Sequence, residues 1–209
     1  MKKIPKVKIC GITSERDALL ACLSGADYLG FVIDRPESPR NISIDATRKI
    51  ISSISEKFKG QVLFAGVFVN KDLNEVKAIV RDCGLHICQL HGEETVGYVL
   101  ELKKSCEVWK AVIIKTEADK EKIRIYKNIA DKILLDAGRG SGKSINLSLL
   151  RNEPIDILAG GLDFQNITTV LDQVLPDIVD ASSGLEASPG KKDKKLVEAF
   201  IKIAKQPSI

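Results

Sequence analysis

The sequence lacks any apolar run long enough to cross a membrane. The longest run, Val62–Val69, is less than half of the ~20 residues that a membrane-spanning helix requires. The N-terminal segment Met1–Lys8 is basic, but no apolar stretch follows it, so we expect no secretory signal peptide. We therefore expect a protein without membrane contacts.

Strong charge of one sign is also absent. The chain has 32 basic and 28 acidic residues, a net charge of +4, and the basic residues are spread along it. Nucleic-acid-binding proteins concentrate positive charge on one surface, so we expect no nucleic-acid partner. Hydrophobic residues make up 44% and charged residues 29%, as in ordinary globular proteins, which excludes disorder.

A disulfide framework is the third missing feature. The 5 cysteines form an odd, irregularly spaced set. In a chain of this size such a set indicates reduced thiols, and we expect a cytoplasmic protein.

What the sequence does contain is a regular series of short apolar, β-branched runs. Their starts recur about 21 to 24 residues apart, with one longer interval that places an insertion at 34–45. Each interval holds one strand and one helix with short loops, the βα unit of a parallel sheet. The predicted strands are Val7–Cys10, Tyr28–Ile33, Val62–Val69, Leu85–Leu90, Val108–Ile114, Lys132–Ala137, Asp156–Ala159 and Asp177–Ala181.

Helical patterns fill the intervals between these runs. Ser14 is a candidate N-cap with Asp17 three residues later, before a broad apolar face over 18–23. Asp72 precedes a second amphipathic segment, and a third, starting at Leu196, closes the chain.

Eight βα units are compatible with a closed barrel or with a large doubly wound sheet. A nucleotide-binding doubly wound sheet carries a glycine fingerprint after an early strand, and Cys10-Gly11-Ile12-Thr13 has none. No proline- or glycine-rich linker divides the chain. We therefore predict an α/β protein, a single (β/α)8 TIM barrel of eight parallel strands over residues 1–209.

Barrels of this kind carry their chemistry at the carboxyl ends of the strands. Glycine turns after the last two predicted strands, Gly160-Gly161 and Ser182-Ser183-Gly184, indicate a phosphate site, because their backbone N–H groups can approach an anion. Either turn alone would more simply be a tight loop with positive φ. The two together favour phosphate.

The first and sixth predicted strands end in Cys10 and Asp136. Cys10 is either a small core residue or a reactive thiol; Lys8, two residues back on the same face, would favour its thiolate. Asp136 is either a loop cap or a carboxyl group at the barrel mouth. A thiol and a carboxyl group facing one cavity can act as base and acid on one substrate.

Three further residues are candidate substrate contacts. Arg40, in the long second loop, offers a planar fork for a carboxylate, although a loop arginine is usually solvated. His91 is either a donor at the mouth or an ordinary strand-end histidine. Lys143 lies in the glycine-rich segment 137–144, which is similar to a Walker A loop but follows the sixth strand, where a mobile loop is the simpler interpretation.

A metal site is not expected. Cys83, His86 and Cys88 cluster in the sequence, but neither their number nor their spacing is that of a zinc site.

With these residues in place, the sequence resembles the phosphoribosylanthranilate isomerases of tryptophan biosynthesis. The resemblance departs from the family pattern at 33–37 and at 145–147, and otherwise extends in order along the chain. The matching segments are Lys8–Ile12, Leu29–Val32, Ser38–Arg40, Val67–Asn70, Gln89–Gly92, Leu134–Ala137, Ala159–Leu162, Val179–Glu186 and Pro189–Asp193.

The resemblance implies an intramolecular oxidoreductase of the aldose–ketose type, which performs an Amadori rearrangement. N-(5-phosphoribosyl)anthranilate would become 1-(2-carboxyphenylamino)-1-deoxyribulose 5-phosphate. It implies Asp136 as general acid on the ribose ring oxygen, Cys10 as the base at C2′, and Arg40 at the anthranilate carboxylate. No cofactor would be needed, and the enzyme would be a monomer or a homodimer.

Two alternatives stay open at this stage. The barrel could act on another phosphosugar, as histidine-pathway isomerases or indole-glycerol-phosphate synthases do, because a fold does not select its substrate. A nucleotide-binding switch built on segment 137–144 is the alternative from a different class, and it predicts Mg²⁺-dependent nucleotide binding.

Overall fold

The computed structural model describes residues 4–136, 146–150 and 154–206. Its strands are β1 (Lys6–Cys10), β2 (Tyr28–Ile33), β3 (Asn41–Ile42), β4 (Leu63–Phe68), β5 (Ile87–Leu90), β6 (Glu107–Ile113), β7 (Lys132–Asp136), β8 (Ile157–Ala159), β9 (Ile178–Ala181), β10 (Glu186–Ser188) and β11 (Lys191–Lys192). Its α-helices are α1 (Glu15–Leu23), α2 (Ile44–Phe58), α3 (Leu73–Cys83), α4 (Val96–Leu102), α5 (Lys120–Tyr126), α6 (Ile167–Gln173) and α7 (Lys194–Ala204).

Eight of the strands form a closed parallel barrel. The order is β1, β2, β4, β5, β6, β7, β8 and β9, and β9 pairs back onto β1. All these pairings are parallel, and helices connect most successive strands. The predicted (β/α)8 barrel is confirmed. The short strand β3 and the antiparallel pair β10–β11 were not predicted.

The helix signals are largely confirmed. Ser14 caps α1 through a hydrogen bond from the Asp17 amide at 3.2 Å, and Asp72 caps α3. The Asp17 carboxylate does not complete a capping box; it accepts the amide of Lys192 at 3.0 Å and ties α1 to β11. Leu23 was expected on the apolar face of α1 but is 78% exposed, because it lies at the end of the helix.

Aspartates stabilise the amino-terminal end of the barrel in a repeated arrangement. Asp27, Asp131 and Asp156 each immediately precede a strand and accept a backbone amide from a neighbouring strand at 2.7–2.8 Å. A carboxylate that accepts an N–H at a strand start satisfies a donor that the sheet leaves unpaired. These contacts help to fix the register between neighbouring strands.

The interior of the barrel is filled by apolar side chains at that same end. Trp109 is fully buried and meets Tyr28 edge to face, with ring centroids 5.2 Å apart, among Ile87, Leu134 and Ile157. Side chains alternate along a strand, so the next inward residue lies two positions further on. That next layer includes Lys8, Gln89, Asp136 and Asp180, so the interior becomes polar towards the carboxyl ends of the strands.

Candidate active site

A cavity of about 430 Å³ opens at the carboxyl ends of the strands. Most of the residues predicted from the strand ends meet there: Cys10, Arg40, His91, Asp136, the Gly160-Gly161 pair and the Ser182-Ser183 pair. Gly184 is not among the cavity-lining residues, and Lys143 and segment 137–144 lie outside the described residues. The thiol and the carboxyl group therefore face one shared space.

Cys10 ends β1 and is 8% exposed. Its Sγ and the Lys8 Nζ lie over Gly30 of β2: a Cβ there would come within 2.6 Å of the sulfur and 2.9 Å of the ammonium nitrogen. Gly30 thus leaves the space that the two side chains share.

Burial raises the pKa of the Cys10 thiol, and the Lys8 ammonium opposes that rise. Lys8 acts in the direction expected from the sequence, towards the thiolate. The effect of burial is larger, so the net shift of the thiol pKa is upward.

Lys8 is fully buried and forms an ion pair with Asp180 on β9, 2.8 Å from Nζ to Oδ2. The two residues are register partners across the β1–β9 pairing, so the barrel closure itself brings them together. Burial lowers and Asp180 raises the pKa of Lys8, with a net upward shift that keeps the ammonium charged.

The end of β1 is also held by Ser182, the residue that follows β9. Its hydroxyl donates to the Cys10 carbonyl at 3.0 Å. Gly11, the residue after Cys10, has a φ of 75°. A Cβ on Gly11 would lie 2.6 Å from Arg40 Cδ and 2.9 Å from Ser182 Oγ. Glycine is therefore required both by the backbone conformation and by the close packing of these side chains.

Arg40 lines the cavity and forms an ion pair that the sequence analysis did not anticipate. Its Nε and Nη2 donate to the two carboxylate oxygens of Glu186 at 2.7 and 2.8 Å. Lys192, itself buried, donates to Glu186 at 2.9 Å. Burial raises the pKa of Glu186, but its pairs with Arg40 and Lys192 outweigh this, and the net shift is downward.

Of the two glycine turns, Gly160-Gly161 has the positive φ expected of a tight loop, and Gly184 of the second turn does not. Gly160 and Gly161 have φ of 96° and 63°, and Asn166 Nδ2 donates to the Gly161 carbonyl at 2.7 Å. Ser183 begins a single 3₁₀ turn after β9. Gly184 packs against the Leu162 carbonyl, where any side chain would clash, so it joins the two turns to each other.

Asp136 ends β7 and is 5% exposed, on the side of the cavity that β7 contributes. His91 follows β5, and its Nε2 lies 3.2 Å from Gln89 Nε2.

Sequence reasoning missed Gln89, Asp180, Glu186 and Lys192. The first two are two positions before His91 and Ser182 on their strands, so the two-residue alternation of strand side chains would have found them.

No group of metal-ligating side chains occurs among the residues that the structure describes, and no helix in those ranges is long and apolar enough to cross a membrane. All five cysteines are free. The cavity is lined by a thiol, by carboxyl groups, by cationic side chains and by glycine-rich backbone.

A closed parallel barrel with such a cavity at the carboxyl ends of its strands defines a (β/α)8-barrel enzyme. A family model described as N-(5′-phosphoribosyl)anthranilate (PRA) isomerase matches residues 7–203. The chain belongs to the N-(5′-phosphoribosyl)anthranilate isomerase family, and it is an isomerase.

Individual relatives agree along the whole chain. It is 41% identical over 208 residues to an N-(5′-phosphoribosyl)anthranilate isomerase of Thermotoga neapolitana, covering 96% of this chain and 98% of the relative. Monomers generated from the dimeric enzyme of Thermotoga maritima superpose with a TM-score of 0.86 at 38% identity, covering 96% and 98%. A phosphoribosylanthranilate isomerase in complex with reduced 1-(o-carboxyphenylamino)-1-deoxyribulose 5-phosphate matches with a TM-score of 0.85 at 37% identity and the same coverage.

Proposed function

We propose that this isomerase converts N-(5-phosphoribosyl)anthranilate into 1-(2-carboxyphenylamino)-1-deoxyribulose 5-phosphate, a step of tryptophan biosynthesis, with Cys10 as base and Asp136 as acid. One observation carries the proposal. Cys10 and Asp136 line the same cavity as Gly161 and Ser183, the residues expected to hold phosphate. The family to which the chain belongs supports the same reaction.

The proposed chemistry consists of two proton transfers followed by a rearrangement. Asp136 protonates the ribose ring oxygen, the C1′–O bond breaks, and a protonated Schiff base forms between C1′ and the anthranilate nitrogen. The Cys10 thiolate then removes the proton from C2′, and the electron pair of that C–H bond moves towards the nitrogen. The resulting enolamine becomes the ketone. The Schiff-base nitrogen accepts the electrons, so the reaction needs no cofactor or metal.

The two ends of the substrate would be held by different parts of the cavity. The turns at Gly160-Gly161 and Ser182-Ser183 would bind the phosphate through backbone N–H groups. At Gly160-Gly161 the positive φ values let the backbone approach an anion closely. The guanidinium of Arg40 would bind the anthranilate carboxylate. His91, which lines the cavity, is a further candidate contact, and Lys143 stays a candidate that lies outside the described residues.

We propose that the enzyme is a monomer or a homodimer; size-exclusion chromatography combined with activity measurements distinguishes the two. The five free thiols fit a reducing compartment, and we propose that the enzyme acts in the cytoplasm.

Loss of anthranilate fluorescence during turnover tests the assignment of acid and base. Cys10→Ser and Asp136→Asn should each lower kcat by about 10²–10⁴-fold, the usual contribution of a positioned acid or base. Asp156→Asn, the same substitution at the opposite end of the barrel, should leave turnover unchanged. Wild-type rates in both site variants would refute the assignment, and a wild-type protein that acts only on another phosphosugar would refute the substrate.

A further inference from the structure

Two buried oxygens, on residues that line the cavity, have no hydrogen-bond partner in the part of the chain that the structure describes. They are Oδ1 of Asp180 and Oε1 of Gln89. Asp180 is 6% exposed and Gln89 is fully buried. Buried acceptors in native proteins are normally satisfied, so two unsatisfied ones at one cavity indicate a ligand that donates hydrogen bonds to them.

Asp180 lies next to the proposed base. It is the register partner of Lys8 on β1, and Cys10 is two residues further along that strand. Its Oδ2 binds the Lys8 ammonium at 2.8 Å, and that ammonium shares the space over Gly30 with the Cys10 sulfur. A substrate whose C2′ meets Cys10 therefore brings the groups attached to C2′ close to Asp180.

The proposed reaction leaves one proton without an acceptor. Cys10 removes the hydrogen bonded to C2′, but the ketone also requires the hydroxyl on that same carbon to lose its proton. We propose that the Asp180 carboxylate accepts this hydroxyl proton, and that Gln89 Oε1 accepts a second hydrogen bond from the ribose hydroxyls. This inference rests on the proposed function and adds a third proton-transfer residue to it.

The step balances in atoms and electrons. In the enolamine the C2′ hydroxyl O–H bond breaks, and its proton goes to Asp180 as the C2′=O bond forms. The C1′=C2′ electron pair takes a proton from the Cys10 thiol at C1′, which returns Cys10 to its thiolate. Exchange with solvent then removes the proton from Asp180 and restores the one that Asp136 gave up.

The surroundings of Asp180 suit a proton acceptor. Burial raises the pKa of the Asp180 carboxyl, which makes its carboxylate a stronger base, and Lys8 opposes that rise. The Lys8 ion pair engages Oδ2 and leaves Oδ1 for the substrate.

Deuterium incorporation separates this role from a structural one. Wild type, Asp180→Asn and the control Asp156→Asn react with the substrate in D₂O to partial conversion, and mass spectrometry measures deuterium at C2′ of the recovered substrate. Asp180→Asn should turn over about 10²-fold more slowly or worse. Its recovered substrate should carry several-fold more deuterium than that of wild type, because the Cys10 step reverses before the ketone forms. Asp156→Asn should match wild type, and Cys10→Ser should abolish incorporation.

Other outcomes overturn the inference. Wild-type turnover by Asp180→Asn would overturn it. Slow turnover without extra deuterium in the recovered substrate would also overturn it, because Asp180 would then act before the proton is removed from C2′. If Asp180→Asn does not fold, the neutral pair Lys8→Met/Asp180→Asn, compared with Lys8→Met alone, provides the same readout. Failure of the wild-type enzyme to convert the substrate would refute the proposed function instead.

Discussion

The guanidinium of Arg40 donates two hydrogen bonds, 2.7 and 2.8 Å long, to the carboxylate of Glu186 at the cavity wall. A guanidinium has five N–H donors, so this pair leaves others to reach a second carboxylate. Glu186 thereby fixes the orientation of Arg40, which is anchored on the loop between β2 and β3. A guanidinium held in this way is preorganised to bind a planar anion such as the substrate carboxylate.

Arg40→Lys should weaken substrate binding. Lysine keeps the charge but loses the fork, and one charge-assisted hydrogen bond contributes about 1.5–3 kcal/mol. We expect KM to rise roughly tenfold or more, with a smaller change in kcat. The control Arg48→Lys, on the exposed surface of α2, should change neither value. An unchanged KM in Arg40→Lys would mean that Arg40 does not bind the carboxylate.

Lys8→Met should move the pH dependence of Cys10. The thiolate is the reactive form and predominates above the thiol pKa, which burial already raises. Without the ammonium that opposes this rise, the pKa goes higher, and the rising limb of kcat/KM moves to higher pH. Iodoacetamide labelling of Cys10, quantified at the peptide level across pH, measures the same shift directly.

The matched control is Lys6→Met. Lys6 is on the same strand, and its Nζ lies over the Tyr28 ring, 5.7 Å from the ring centroid, at the opposite end of β1. The labelling curve of this variant should coincide with that of wild type. Coincident curves for Lys8→Met and wild type would show that Lys8 does not influence the thiol.

Asp156→Ala should destabilise the barrel without affecting the chemistry. Its carboxylate accepts the Ile133 amide at 2.8 Å, and removal leaves that donor unpaired at a strand start. We expect a loss of about 1–3 kcal/mol in the free energy of unfolding, measured by urea titration. Asp156→Asn, whose side-chain oxygen can still accept the amide, should lose less. Equal losses in the two variants would contradict this account of the aspartate.

The barrel could be predicted because its strands depend on local pattern. The βα period and the apolar runs located all eight barrel strands to within about two residues; the run expected from Leu85, for example, begins as a strand at Ile87. The β10–β11 pair was missed because its strands, Glu186–Ser188 and Lys191–Lys192, are very short and carry no apolar alternation. A long-range hydrogen bond from the Lys192 amide to Asp17, which no local pattern encodes, adds to this pairing.

The candidate site was predictable where it depends on strand ends. Cys10 and Asp136 follow directly from where apolar runs stop. Strand alternation could have placed Asp180 on the inward face, but its pairing with Lys8 depends on register across the closure of the barrel. The pairing of Arg40 with Glu186 depends on tertiary packing. Sequence spacing alone does not reveal either pair.

A crystal structure of this chain with reduced 1-(o-carboxyphenylamino)-1-deoxyribulose 5-phosphate would show where the reacting carbon lies relative to Cys10 and Asp136. We expect the phosphate against the backbone of Gly161 and Ser183, and the C2′ carbon within contact distance of Cys10 Sγ, with Asp136 on the opposite side. A phosphate bound elsewhere, or a C2′ carbon out of reach of Cys10, would contradict this expectation.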